Sequence, residues 1–193
     1  MDDETYVKLD LNQLHGQVFY VATKRLHVDN KYKHVKMAKY AKKVMIWQAI
    51  CTCGKKSFPF VTSRTMTSDL YVTECLQKRL LPLIREHYIP TKFWPDLASC
   101  HYSRITMNWY KDNEVDVIPK IVNPPFCPEF RPIERYWAIM KRKLKHSGRT
   151  IKNEQAMLRC WNHYAKELTE EDVRNLMISI KRKVRDFIRN NKI

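Results

Sequence analysis

Glycine is scarce in this chain, three residues in 193, which excludes collagen-like and glycine-linker organisation. Apolar runs are short. None approaches the roughly 20 residues needed to span a bilayer as a helix, so no membrane partner is expected. The first residues, Met1-Asp2-Asp3-Glu4, are acidic where a signal peptide is basic and then apolar, which points to a soluble intracellular protein. The six cysteines are Cys51, Cys53, Cys75, Cys100, Cys127 and Cys160. They show no C-x-x-C pair and no matching H-x-H partner, which argues against a zinc site. In Cys51-Thr52-Cys53-Gly54 the simpler reading is a strand end followed by a turn at Gly54, with all six cysteines as thiols in a reducing compartment. There is neither an internal repeat nor a low-complexity segment.

Acids are outnumbered as well. Twenty Asp and Glu stand against 36 Lys and Arg, a formal net charge of +16 with pI near 9.7. A charge that large repels itself, so a polyanion is the expected partner, with DNA first among the candidates. The excess is uneven: from Arg135 onward there are about sixteen basic residues against six acidic ones. Hydrophobic content of 44% with 11% aromatics is enough for a packed core in a chain of this length.

Periodicity divides the chain in two. Thr5 to Leu11 alternates, with Tyr6, Leu9 and Leu11 among polar residues; Gln17 to Thr23, Val44 to Cys51 and Ser57 to Thr62 follow as strands. Val44-Met45-Ile46-Trp47 is apolar enough for a central strand. The basic segment Lys31 to Lys43 reads as a loop or short helix. Thr67-Ser68-Asp69 then opens a helix through Leu70, Cys75, Leu76, Leu80 and Leu83, which Pro82 should kink or interrupt. Thr91 to Trp94 and Val115 to Ile118 read as short strands around a helix from Ser103 to Asn113. After the stiff loop Asn123-Pro124-Pro125, a helix starts at Pro132 with Glu134 in its first turn and ends at Gly148. Two more helices follow. The last is capped by Thr169-Glu170-Glu171-Asp172 and carries Val173, Leu176, Met177, Ile180, Val184, Phe187 and Ile188 at spacings of three and four. Antiparallel strands followed by alternating helices and strands predict an α/β fold, a mixed sheet with helices on its faces.

Three acids fall at telling places. Asp3 precedes the first alternation, Asp96 ends the strand Thr91 to Trp94, and Glu134 opens the helix after the proline loop. Strand ends are common places for functional residues. Carboxylates gathered together repel, and a divalent cation relieves that repulsion. Hard oxygen ligands select Mg²⁺ or Mn²⁺, and two such ions can drive phosphodiester chemistry.

The surroundings of these acids resemble motifs of the mariner-superfamily DDE transposases. Asp3-Glu4-Thr5-Tyr6-Val7 is similar to that family's first-aspartate motif. Trp94-Pro95-Asp96-Leu97-Ala98-Ser99-Cys100-His101 is similar to the second, although Leu97 stands where asparagine is usual. Asn123 through Arg131-Pro132-Ile133-Glu134-Arg135-Tyr136-Trp137 resembles the third, and 37 residues separate Asp96 from Glu134. The resemblance covers nearly the whole chain in the right order. It implies a ribonuclease H-like catalytic domain over residues 1–146 with basic C-terminal helices over 147–193 packed on it. It further implies metal-dependent DNA cleavage and strand transfer, with Asp3, Asp96 and Glu134 as catalytic metal ligands for Mg²⁺ or Mn²⁺, two ions in all. Glu129 ranks below Glu134 because P-I-E before an aromatic is the matching pattern.

His101 is expected to approach DNA, to support a metal ligand, or simply to fill a helix start. Arg131 is a candidate DNA contact. Lys141, Arg142, Lys143 and Lys145, which continue the helix bearing Glu134, suit a phosphate backbone. That run also reads as a nuclear-import signal, or as a solvated helix face. Trp137 and Trp161 are expected in the core. A homodimer and a nuclear location accompany the transposase reading. Because the family places strand residues and DNA-recognition modules ahead of the first aspartate, the chain is expected to be a truncated or remnant copy. Two readings compete with an active enzyme. One is a transposon-derived protein that holds DNA without cutting, and the other is a ribonuclease H-type nuclease acting on a hybrid duplex.

Overall fold

The computed structural model describes residues 1–11, 21–30, 41–87, 90–125 and 127–190, the Lys181 side chain excepted. Strands β1 (Asp2–Lys8), β2 (Lys43–Ala49) and β3 (Phe60–Thr62) form an antiparallel sheet in that order. Every residue of β2 after Lys43 is buried, as the apolar run requires of a strand covered on both faces. β1 starts earlier than its alternation suggests. Asp3 lies inside the ladder, opposite Gln48, and the inward positions are Asp3, Thr5 and Val7. Tyr6 faces out, with the Lys43 ammonium over its ring. The apolar pattern missed this register because an inward carboxylate counts as polar. Of the expected strand Gln17 to Thr23, residues 17–20 lie outside the described residues and 21–23 form no strand; Lys31 to Lys43 lies outside up to residue 40.

Helix α1 is continuous in three windings: Ser68–Leu70, a π-helical stretch Tyr71–Leu80, and Leu81–Arg85. Thr67 caps it, its hydroxyl accepting from the Leu70 amide at 3.2 Å. Pro82 does not interrupt it. The proline sits in the first turn of the last winding, directly after the π stretch in which the Leu81 amide bonds five residues back to Leu76. Proline disrupts a uniform α-ladder by removing an amide and crowding the carbonyl four residues back; a local change of winding leaves it tolerable.

β4 (Lys92–Phe93) and β5 (Asp116–Val117) pair in parallel, joined by a 3₁₀ turn Ser99–Tyr102 and helix α2 (Arg104–Asp112). The strands therefore mix both pairings, as expected, although they form two separate ladders. Helices α3 (Pro132–His146), α4 (Glu154–Glu167) and α5 (Glu170–Asn190) complete the chain. α3 stops just before Gly148, which adopts φ +62. Thr169 and Asp172 exchange side-chain-to-amide bonds at the start of α5.

Successive β2 side chains point to opposite faces, and each face is covered. Val44 and Ile46 join Trp137, Met140, Leu144 and Trp161 from α3 and α4, together with Val173 from α5. On the other side Trp47 and Ala49 join Tyr71, Leu76, Phe93 and Tyr110 from α1, β4 and α2. Trp137 and Trp161 are core, their rings 5.7 Å apart. The helices after residue 146 thus belong to the same core: Val173 and Met177 near the start of α5 are buried, whereas further along Val184 and Ile188 are exposed and the partly exposed Phe187 packs edge-on against Phe130.

Candidate active site

Asp3 is held from both sides of its strand. Its Oδ1 accepts the Glu4 amide at 2.8 Å, and its Oδ2 accepts the Trp137 indole N–H at 3.3 Å. Its cross-strand partner Gln48 is fully buried. The Gln48 Oε1 accepts from the Tyr136 hydroxyl at 2.9 Å and the Trp161 indole at 3.0 Å, while its Nε2 donates to the Ser57 carbonyl at 2.7 Å. A satisfied buried network of this kind fixes a single arrangement. Here it locks β2 to α3 and α4, and with them the acid-bearing end of β1.

Asp96 lies three residues past β4. Its Oδ1 accepts the Ala98 amide at 2.8 Å and lies 2.5 Å from His101 Nδ1. The other ring nitrogen of His101 is 3.1 Å from Glu4 Oε1, and the ring packs on Tyr71 at 4.2 Å. Glu134 is exposed in the first turn of α3, where Pro132 has set the helical φ in advance. The loop before the helix is braced by Asn123, which accepts from the Trp94 indole and donates to the Pro95 carbonyl and the Tyr102 hydroxyl. Asp3, Asp96 and Glu134 line one cleft of about 160 Å³ together with Leu97, Asn123 and Arg131. Glu129 does not line it. Its carbonyl instead accepts from Lys183 of α5.

Burial pushes the Asp3 carboxyl up to about 7, partly opposed by the Arg131 guanidinium and reinforced by Glu4, Asp96 and Glu134. Glu4 is raised too, chiefly by burial, against its bond to His101. Burial would likewise raise Asp96, but His101, the Ala98 amide and Arg131 outweigh it and hold the carboxyl below its ordinary value. Burial works against charging His101, yet its bonds to Asp96, Cys100 and Glu4 prevail and lift its pKa well above the usual range. Asp96 and His101 are therefore an ion pair at neutral pH, and the negative charge around Asp3 is incompletely balanced. Hard carboxylate oxygens facing one cleft, one of them reluctant to ionise, are the donor set and the electrostatic deficit that a divalent cation fits.

His101 is fully buried between Asp96 and Glu4. A direct DNA contact is thereby corrected: the ring orients Asp96 instead. Arg131 donates to the Asp2 carbonyl at 2.6 Å and the Pro95 carbonyl at 3.3 Å, and stacks near Trp94. It spans β1 and the segment leaving β4, where no strand ladder joins them among the described residues. The basic run divides. Lys141 is half-buried, its pKa lowered by burial and drawn back up by Glu134 and Asp3. Lys143 is paired with Glu167 of α4 at 2.7 Å, and Arg142 is exposed. A helix turns about 100° per residue, so four consecutive-looking cations do not face one strand of phosphate. Composition and motif spacing do not mark Glu4, Asn123 and Trp137 as residues that hold the acids. All three lie inside the matched motifs, but only contacts assign them a task.

Residues 3–158 match the family described as DDE superfamily endonuclease. No curated protein sequence matches the chain. Among solved structures, the Mos1 mariner paired end complex with Mn superimposes with a TM-score of 0.73 at 13% identity, over 94% of this chain and 52% of that one. The catalytic domain of Mos1 mariner transposase gives 0.60 at 15% identity, over 72% of this chain and 69% of that one. The Mos1 strand transfer complex gives 0.73 at 13% identity, over 94% and 51%. These likenesses concern the fold. The chain spans about half the length of the transposase chains in those complexes.

Proposed function

The chain belongs to the DDE superfamily of endonucleases, and on that premise we propose that it cuts DNA phosphodiesters and transfers the cut strand, as in transposition. The observation that carries this reading is the convergence of Asp3, Asp96 and Glu134 on one cleft from β1, the exit of β4 and the start of α3. Asp3, Asp96 and Glu134 would hold Mg²⁺ or Mn²⁺, two ions in all. When bound, the ions lower the pKa of an attacking water or 3′ hydroxyl and stabilise the leaving oxygen. The protein's own contribution is placement. Trp137 and the Glu4 amide fix the Asp3 oxygens, and His101 fixes Asp96 in its charged form. Arg131 holds the two acid-bearing backbones together. Lys141, beside Glu134 and Asp3, receives the phosphate backbone. Positioning within about half an ångström is what such a site demands of its supporting residues.

DNA is the partner that the +16 charge and the fold both favour. A nuclear location and action as a homodimer on paired DNA ends complete the proposal, the latter in line with the paired-end complexes of the structural neighbours. The test is nicking of an end-labelled duplex with Mg²⁺, Mn²⁺ or EDTA, run on this chain and on Asp96→Asn. Metal-dependent nicking that disappears in the variant is the expected result. Salt-sensitive binding without cutting, equal in both proteins, would leave a non-catalytic, transposon-derived DNA-binding protein and overturn the endonuclease.

A further inference from the structure

The turn after β2 and the end of α1 meet at a cluster remote in sequence. Cys51 Sγ and Cys53 Sγ each lie 3.1 Å from His87 Nε2, and their ligand atoms all fall within 4.8 Å of one another. His87 comes from 34 residues away, which is why spacing rules built on C-x-x-C and H-x-H pass over it. The other ring nitrogen, Nδ1, donates to the Leu83 carbonyl at 2.8 Å. That bond sets the tautomer and leaves the Nε2 lone pair facing the two sulfurs, the arrangement in which a histidine ligates a metal. Cys53 Sγ also accepts the Lys55 amide at 3.4 Å, and the Arg174 guanidinium bonds the Cys53 carbonyl at 3.1 Å.

We propose that Cys51, Cys53 and His87 bind one Zn²⁺ per chain, with a fourth position open to water. Two sulfurs and an imidazole nitrogen are soft and borderline ligands that select zinc over the hard cations suited to the acidic cleft. Zn–S near 2.3 Å and Zn–N near 2.0 Å place sulfur and nitrogen roughly 3.5 Å apart in a tetrahedron, so side-chain adjustments of about half an ångström open the cluster enough. Binding displaces one proton from each thiol into solvent, and Zn²⁺ with two thiolates is locally neutral. The fourth position is open because all three residues border an apolar pocket of about 600 Å³, lined also by Leu83, Ile84 and Phe93. No fourth Cys, His, Asp or Glu completes the set among the described residues.

The site clamps three elements. Cys51 follows Ile50, whose amide bonds Met1 just before β1, His87 lies two residues past the end of α1, and the turn at Gly54 packs on Glu170 of α5. Zinc would therefore stiffen the sheet end that carries Asp2 and Asp3 without touching the acidic cleft. This inference stands independently of the endonuclease reading.

The test is metal content by mass spectrometry on the chain purified under reducing conditions, followed by Co²⁺ substitution and thermal unfolding with and without zinc. About one zinc per chain is expected, with a thiolate-to-cobalt charge-transfer band and a higher Tm when zinc is bound. Cys53→Ser and His87→Gln should lose the metal and the band while keeping a native circular dichroism spectrum. Cys127→Ser and Asp96→Asn should retain both. Absence of zinc and of the cobalt band from the wild-type chain would overturn the proposal. So would zinc lost in Asp96→Asn but kept in Cys53→Ser, since the metal would then sit in the acidic cleft. A Cys51–Cys53 disulfide that persists under the same reducing conditions and excludes metal would equally refute it.

Discussion

Replacing Asp3 by asparagine should make this protein more stable at neutral and alkaline pH and slightly less stable in acid. In the fold the Asp3 carboxyl titrates near 7 against an ordinary value of 3.8, with burial the main cause. An acid whose folded pKa is raised binds its proton more tightly in the folded than in the unfolded state. Folding then loses stability as pH climbs from about 4 to about 7, and the full cost persists above that window. About three pKa units at 1.36 kcal/mol each give a cost of roughly 4 kcal/mol. Asparagine removes the charge at nearly the same volume. It keeps an oxygen for the Glu4 amide but turns an N–H toward the Trp137 indole or forfeits that bond, a loss of about 1 kcal/mol. The net gain is about 3 kcal/mol above pH 7, worth roughly 6–12 °C in Tm for a chain of this size. Below pH 4 only the lost hydrogen bond remains, and the sign reverses. Urea unfolding followed by tryptophan fluorescence between pH 4 and pH 8, on both proteins, measures the difference directly. A gap that does not change with pH, or a variant less stable at pH 8, would refute the burial argument. Added Mg²⁺ should narrow the gap at pH 8 by stabilising the charged wild-type cleft, and should do little for the variant.

Gly54→Ala is expected to cost roughly 3 kcal/mol by combining a left-handed backbone with overpacking. The glycine has φ +100, and an added Cβ would lie 2.1 Å from the Glu170 carbonyl oxygen, a backbone atom; an unchanged Tm would show that α5 does not pack there. Lys141→Gln should weaken DNA binding and reduce the log–log salt slope by about 0.9, one phosphate contact. Lys143→Gln, whose ammonium is already paired with Glu167, should leave the slope unchanged. Fluorescence anisotropy over a range of salt concentrations separates the two, and equal effects would put both lysines on the same phosphate track.

The three acids that line the cleft were legible in the sequence. The P-I-E pattern singled out Glu134 over Glu129, and only Glu134 reaches the cleft with Asp3 and Asp96. The caps at Thr67 and Thr169 and the turn glycines Gly54 and Gly148 read correctly because each is a local property: one side chain satisfying a nearby amide, or one residue tolerating positive φ. His101 read poorly. A buried imidazolium between two acids and a DNA-facing histidine look identical in a linear motif, and only burial distinguishes them. Pro82, expected to kink or interrupt its helix, does not interrupt it, since the cost of a proline depends on how the preceding turns are wound.

What the sequence determined by itself is the family, the class of elements and the three acids that turn out to share one cleft, because these rest on short-range patterns of residue type. Tertiary structure alone decided the partners. Gln48 gathers Tyr136 and Trp161, Arg131 spans two backbones that share no ladder among the described residues, Lys141 and Lys143 part company on one helix, and His87 arrives at Cys51 and Cys53. Each of these pairs is separated by tens of residues or by a rotation about a helix axis. Their meeting is fixed by how the faces of the sheet and helices pack, which a linear pattern of residues does not record.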